Sequence, residues 1–405
     1  MLELNDEAIA ELRKIDQFDF DIFKLRRATR DNELVTIVPY VLARHGLIGA
    51  CAIELNCLFN FVKTLQSGYK NITYHNKTHA ADVCQTFNYF ATNGGIKDVT
   101  KMDNMETMSC LIAASMHDYE HPGVNNMFLV NISDSMAVKY NDRSVLENHH
   151  IAASFSVMYS DPQCNWTRKM SRDEFKRVRH MIIETVLTTD MTKHFLELGL
   201  LSSRLENENF NPADSKDKEL LIKIMFHLSD ISNPVKDWRL CKLWTELLFV
   251  EFFAQGDMEK MHGLEVSQLC CRTTTNVAKT QIGFIDFIIT PSFNTAIRVF
   301  PKIAHVRDNC EKNKEHWAGL FDEYQKEQDS GNKFLHIVDQ YIMKETKASR
   351  RSTLTQGEKK SKQPQQRNVN LTGHQRRTSK NLGGQDEGVK VDLVLRMEDS
   401  ESSQR

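Results

Sequence analysis

The chain has 405 residues, 40% of them hydrophobic and 26% charged, so it holds enough apolar material to bury a large core. Its 52 basic and 54 acidic residues give a formal net charge of −2, so we expect no nucleic acid as a partner. No apolar run approaches the ~20 residues that span a bilayer, and no membrane insertion is expected. The nine cysteines show no CxxC spacing and no secretory signal precedes them, which predicts a cytoplasmic protein.

The chain divides by composition into three segments. Residues 1–16 form a short N-terminal lead, and residues 17–345 repeat apolar side chains at three- and four-residue spacing with few strand signals. This spacing predicts an all-α domain. Residues 346–405 are polar and nearly free of large apolar side chains, so they are expected to be disordered. The basic stretch before Ser379 matches a kinase site weakly, and solvated charge is the favoured interpretation.

Two histidines open the pattern of candidate ligands. His75 and His79 are four residues apart, so on a helix they share one face and could address one site. A pair of polar residues facing solvent is an equally good interpretation of this motif taken alone.

Two apolar helices then end in ionisable residues. His117 and Asp118 follow the run LIAASM, and Asp230 closes IMFHLSD. Such groups are costly beside a core unless they are paired or bind a metal. His149 and His150 are neighbours that cannot face one direction, so at least one of them serves the core or the surface.

Together, four of these residues form the H…HD…D pattern of the HD metal-dependent phosphohydrolases: His79, His117, Asp118 and Asp230. Aspartate can bridge two cations through its two oxygens while histidine gives a nitrogen to one, which suits a mixed site.

Longer motifs in the same order resemble the class I 3′,5′-cyclic nucleotide phosphodiesterase catalytic domain, nearest to its calmodulin-regulated and cAMP-selective branches. They are YHNKTHAADV, HDYEHPGVNN, YNDRSVLENHH, TTDMTKH, SDISNP, WTELLFVEFFAQGD and QIGFIDF. The resemblance implies the HD/PDEase fold, a compact bundle of about sixteen helices in three subdomains. It also implies hydrolysis of a cyclic nucleotide to its 5′-monophosphate, ending a cyclic nucleotide signal.

The resemblance assigns a role to each metal-site residue. The tight site, for zinc, has the four ligands His79, His117, Asp118 and Asp230. Asp118 bridges to a second site for magnesium or manganese. The outer shell of that second site consists of His121, Glu147, Thr189 and Asn126. The last of these is the asparagine of the HDxxHxxxxN signature. A hydroxide bridging the two metals attacks phosphorus, while His75 acts as the general acid and Glu251 holds its imidazole.

A base pocket is implied in the same way. Gln281 would bind the edge of the base, and Phe284, one turn later, would stack on one face of it. Leu248 and Phe252 would close the other face. Asn233 and Tyr74 would also bind the substrate. Taken alone, Phe284, Leu248 and Phe252 are more readily ordinary core residues. Asn233 favours cAMP. Cys241 is a weak hydrogen-bond partner for Gln281, so the glutamine amide is expected to rotate and hydrolysis of cGMP stays open.

Three alternatives stay open at this stage. A different HD-type hydrolase would need a basic phosphate clamp, and QIGFIDF argues against it. A catalytically dead nucleotide sensor should have lost a ligand or the acid, yet every expected position is filled. A helical scaffold with incidental histidines would hold no stoichiometric zinc. Oligomeric state cannot be predicted from this sequence.

Overall fold

The computed structural model describes residues 4–329, with side chains to residue 326. The described part contains no β-strand, so the all-α prediction is confirmed. Its α-helices, numbered in chain order, are α1 Asp6–Leu12, α2 Ile22–Ala28, α3 Glu33–Arg44, α4 Leu47–Ala50, α5 Leu55–Gly68, α6 Lys77–Ala91, α7 Ile96–Thr100, α8 Asn104–Met116, α9 Asn126–Asn131, α10 Ser135–Tyr140, α11 Val145–Ser160, α12 Arg172–Leu187, α13 His194–Leu205, α14 Ser215–Asp230, α15 Trp238–Met261, α16 Val277–Phe284, α17 Thr290–Val299 and α18 His305–Asp329.

These are eighteen α-helices in the described range, against about sixteen expected. The excess consists of one-turn elements such as α4, with four residues, and α7, with five. The division into three subdomains stays a prediction. The longest helices, α15 and α18, have 24 and 25 residues, and no helix within residues 4–329 is both long and apolar enough to cross a membrane.

The N-terminal segment packs onto the domain. Ala8, Leu12 and Ile15 are fully buried, and the Asn5 amide donates to the carbonyl of Ala28 at 3.0 Å. The domain boundary at residue 17 stays a prediction. The predicted tail and Ser379 lie outside the described residues.

Helix α6 lies at the centre of the core, packed against α3, α8 and α14. Phe87 of α6 and Phe226 of α14 place their rings 5.7 Å apart. Local signals fix where these helices begin: the Asn76 side chain caps α6, and Asp103 with Glu106 forms a capping box on α8. As a result the N-terminus of α6 meets the C-termini of α8 and α14.

A π-helical turn, Ile285–Ile289, joins α16 to α17, so residues 277–299 form one continuous helix. Pro291 follows this turn. A proline within a regular α-helix clashes with the carbonyl four residues earlier, here that of Phe287, and the wider π turn relieves this clash. The proline therefore does not interrupt the helix here.

The nine cysteines all lie in the described part and none forms a disulfide. Eight are buried and behave as small apolar side chains, while Cys271 is partly exposed.

Candidate active site

Four predicted metal ligands converge at the junction of α6, α8 and α14. The ligand atoms of His79, His117, Asp118 and Asp230 all lie within 4.8 Å of one another. The Nε2 atom of His79 is 2.9 Å from Oδ1 of Asp230 and 3.5 Å from Oδ2 of Asp118. Residues far apart in sequence thus form one buried cluster.

The helix ends explain how this cluster is positioned. His79 lies in the first turn of α6, His117 is the C-cap of α8, and Asp230 is the last residue of α14. A helix C-terminus carries a partial negative charge and a helix N-terminus a partial positive one, so two C-termini and two carboxylates outweigh the single N-terminus of α6. The site therefore favours a cation.

The hydrogen bonds of His117 indicate whether the cluster could hold a metal. Its Nδ1 donates to the carbonyl of Ala114 at 2.9 Å, so in the neutral ring Nε2 carries a lone pair. This buried Nε2 makes no hydrogen bond, and it lies 3.1 Å from Asp118 and 3.3 Å from Asp230. Burial lowers the pKa of His117, yet the two carboxylates raise it well above the usual range. A divalent cation would satisfy the lone pair and both carboxylates, so the residues fit a metal.

A second cluster shares Asp118. Its ligand atoms, with those of His121 and His150, also lie within 4.8 Å of one another. The Nδ1 of His150 donates to the carbonyl of Tyr119 at 2.6 Å, which leaves Nε2 facing Oδ1 of Asp118 at 3.8 Å. The neighbouring His149 instead pairs with Glu120 at 2.9 Å at the rim.

His75 and Glu251 form a short hydrogen bond beside the cluster. The two atoms, Nδ1 and Oε1, are 2.5 Å apart, and the second carboxylate oxygen accepts from the backbone amides of Tyr74 and His75 at 3.0 and 3.3 Å. Burial opposes a charge on His75, but the carboxylate of Glu251 outweighs it and raises the pKa of His75 to about 9. The imidazole is therefore protonated at neutral pH.

The ring of His121 stacks on His75 with centroids 4.1 Å apart and planes 16° from parallel. The His121 Nδ1 accepts from the backbone N–H of Gly123 at 3.0 Å. Burial and the charge on His75 hold the pKa of His121 well below the usual range. A neutral ring thus covers one face of the charged ring.

Glu147 lies between Asn126 and a second carboxylate. The Asn126 amide donates to it at 3.0 Å, and burial followed by the charge of Asp190 raises the pKa of Glu147 to about 7. Asp190 itself accepts from the Ser144 hydroxyl at 2.6 Å. The hydroxyl of Thr189 donates to a carbonyl of its own segment, that of Val186, at 2.8 Å.

Two amide side chains mark the predicted base pocket. The Tyr74 hydroxyl donates to Oδ1 of Asn233 at 2.5 Å, while the buried Nδ2 of Asn233 has no hydrogen-bond partner. Gln281 is buried and its Oε1 lies 3.4 Å from the Thr245 hydroxyl, which also donates to the carbonyl of Cys241 at 2.9 Å. Three of the predicted pocket side chains are partly buried: Leu248, Phe252 and Phe284.

The neighbour of Gln281 is therefore Thr245, one helical turn after Cys241 on α15. The thiol of Cys241 is buried against Trp317, and burial raises its pKa to about 12.

The protein is thus an all-helical one whose buried cluster of two histidines and two aspartates is a candidate metal centre. A family model described as 3'5'-cyclic nucleotide phosphodiesterase matches residues 74–310, and the chain belongs to this family. It is 41% identical over 307 residues to a rat protein, dual specificity calcium/calmodulin-dependent 3',5'-cyclic nucleotide phosphodiesterase 1B, covering 75% of this chain and 56% of that protein.

A human protein of the same description, 1C, is 38% identical over 298 residues, which is 73% of this chain and 41% of the relative. The chain thus spans about half the length of the curated relatives it matches. Among solved structures, the phosphodiesterase domain of Salpingoeca rosetta rhodopsin phosphodiesterase superposes with a TM-score of 0.72 at 28% identity, covering 80% of this chain and 97% of that domain. These comparisons confirm the family resemblance predicted from the motifs.

Three residues at the site were not assigned from the sequence: His150, Asp190 and Thr245. His150 is three residues after Glu147 on α11 and so shares its face, a signal present in the sequence. Asp190 directly follows Thr189 in TTDMTKH. Thr245 gave no signal, because its contact with Gln281 joins residues 36 apart.

Proposed function

We propose that the chain hydrolyses a 3′,5′-cyclic nucleotide to the nucleoside 5′-monophosphate, with cAMP favoured and cGMP also accepted, and so ends a cyclic nucleotide signal. The observation that carries this proposal is the 2.5 Å hydrogen bond of His75 to Glu251 beside a cluster of four metal ligands. The proposed setting is the cytoplasm, with no nucleic acid and no membrane insertion involved.

Zinc is proposed at His79, His117, Asp118 and Asp230, because two imidazole nitrogens and two carboxylates are a donor set that zinc prefers. Magnesium or manganese is proposed beside it, with Asp118 shared. Four residues would contact that second ion through water: His121, Glu147, Thr189 and Asn126. Bound there, two divalent ions would lower the pKa of a water and stabilise charge on the phosphate.

His75 supplies the proton for the leaving oxygen. An O3′ alkoxide is too basic to leave without one, and a general acid must hold its proton at neutral pH. Glu251 keeps His75 charged, while its contacts with two backbone amides fix the direction in which the ring points. His121, neutral and stacked on the ring, adds no competing positive charge.

The base would lie between Phe284 on one side and Leu248 with Phe252 on the other. Because Tyr74 occupies the oxygen of Asn233, that amide offers the base only its NH₂ donor, which N1 of adenine can accept and N1 of guanine cannot; this supports cAMP. The 3.4 Å contact from Thr245 restrains Gln281 only weakly. A glutamine that can turn presents a donor or an acceptor as required, which supports some use of cGMP.

The direct test is hydrolysis of cAMP and cGMP, separately and in competition, by the full chain with zinc and magnesium supplied. We expect turnover of both, with the larger kcat/KM for cAMP. His75→Ala should retain zinc and lose ~10²–10⁴-fold in kcat, the usual contribution of a general acid.

Binding of either nucleotide without turnover would instead support a sensor, and turnover of linear phosphodiesters alone would support another HD-type hydrolase. A chain without stoichiometric zinc would support a helical scaffold. Kinase action on Ser379 as a regulatory input is tested by mass spectrometry after treatment with a cAMP-dependent kinase.

A further inference from the structure

A lysine and an aspartate are paired inside the core next to the metal cluster. The Nζ of Lys236 lies 2.5 Å from Oδ1 of Asp82, and the lysine side chain is fully buried. The two residues are 154 positions apart in the chain. A fully buried lysine is rare, because removing its charge from water is costly.

Stability alone does not account for this pair. Replacing a buried ion pair by apolar side chains of similar volume is often neutral or stabilising, because the desolvation cost of both charges disappears. An ion pair does, however, fix a distance and a direction between two backbone segments. The position of the pair in the fold therefore matters.

The pair joins the two segments that carry metal ligands. Asp82 lies on α6 one turn after His79, and Lys236 follows Asp230 in the short connection between α14 and α15. Asn233, whose side-chain NH₂ group has no hydrogen-bond partner, lies between Asp230 and Lys236 in the same connection.

The opposite side of this connection is held by α18. Asn313 donates to the carbonyls of Pro234 and Lys236 at 2.8 and 2.7 Å, and Asn309 donates to that of Val235 at 3.1 Å. The connection is thus fixed to α18 through its backbone. On the side of the metal cluster its side-chain anchors are Lys236, paired with Asp82, and Asn233, which accepts from the Tyr74 hydroxyl at 2.5 Å.

We propose that Lys236 and Asp82 are positioning residues, which hold Asp230 at its short distance from His79 before any cation arrives. Asp118 and Asp230 repel each other, and the histidines beside them offset this less than a divalent cation would, so the ligand set tends to open. The ion pair opposes this by tying the connection after Asp230 to the helix of His79. This inference rests on the metal site of the proposed function.

The test compares zinc affinity in the wild type, in the double variant Asp82→Leu/Lys236→Met and in the matched control Arg204→Met/Asp217→Leu. The control removes an ion pair of 2.7 Å that joins α13 to the opposite end of α14. Affinity is measured with Zn²⁺ alone in competition with a chromophoric chelator, and Tm is measured with EDTA present.

We expect the double variant to keep its Tm in EDTA within a few degrees and to bind zinc ~10–100-fold more weakly, the usual effect of losing a residue that orients metal ligands. The control should bind zinc as the wild type does. A folded double variant with wild-type zinc affinity would overturn the proposal.

If the double variant does not fold, Asp82→Asn/Lys236→Gln decides, because two amides leave no unpaired buried charge, keep polar side chains of similar size and form a weaker bond than the ion pair. Weaker zinc binding by that variant supports the proposal, and unchanged binding overturns it. Since no nucleotide is used, a wild-type chain that binds zinc yet hydrolyses neither cyclic nucleotide would remove the proposed function and leave this inference intact.

Discussion

The carboxylate of Glu251 holds the ring of His75 through a 2.5 Å hydrogen bond and at the same time accepts two backbone N–H groups. One side chain therefore sets the charge, the tautomer and the direction of the imidazole. The Nε2 nitrogen of His75 remains free to deliver a proton to a leaving group.

Glu251→Gln should move the alkaline limb of the pH–rate profile. A general acid works while it is protonated, so wild-type kcat should fall as pH rises through about 9, the raised pKa of His75. Without the Glu251 carboxylate, that pKa should fall to ~6.5, because burial then opposes only the weaker attraction of Asp118 and Asp230. At pH 7.5 kcat should be roughly tenfold lower, since only about one ring in eleven keeps its proton. A limb that stays near pH 9 in the variant would remove His75 from this role.

Asp118→Asn should lose metal and activity together. One carboxylate belongs to both clusters, and an amide oxygen carries no charge to offset two cations. We expect substoichiometric zinc by elemental analysis and a fall of ~10²–10³-fold or more in kcat. The control is Asp134→Asn, which alters only the N-cap of α10. Full zinc content in Asp118→Asn would contradict the shared site.

His150→Asn should separate the two clusters. Its Nε2 faces Oδ1 of Asp118, on the side away from His79 and Asp230. We expect zinc content to stay at the wild-type level while the magnesium concentration for half-maximal turnover rises severalfold. His149→Asn is the matched control, because that ring pairs with Glu120 at the rim. Loss of zinc from His150→Asn alone would show that the two clusters form one site.

Gln281→Ala should raise KM for both nucleotides by up to ~10-fold with a smaller change in kcat, because the contact proposed for the amide is with the base and not with phosphorus. Thr245→Val should bring the kcat/KM values for cAMP and cGMP closer together, since Gln281 loses its one described hydrogen bond. Steady-state kinetics with both substrates measures each effect. An unchanged ratio in Thr245→Val would show that Asn233 alone sets the preference.

The sequence revealed those parts of the site whose signals are local. His117 and Asp118 are adjacent at the end of an apolar helix, so a helix end with buried charge could be predicted from a few residues. The ion pair of Asp82 with Lys236 could not, because each residue looks like an ordinary surface charge until the fold brings them together. The all-α class followed from apolar spacing, whereas the π turn depends on the packing around Pro291.

The π turn also limits which single-residue deletions the helix of residues 277–299 can accept. A π turn holds one more residue than an α-helical turn, so losing one residue from 285–289 would close it to regular helix and bring Pro291 against the carbonyl four residues before it. Because the π turn absorbs the rotation of its extra residue, Gln281 would keep nearly the same face relative to Ser292, which His194 holds at 3.2 Å. A single-codon deletion here would thus keep the facing of the helix and strain it at Pro291.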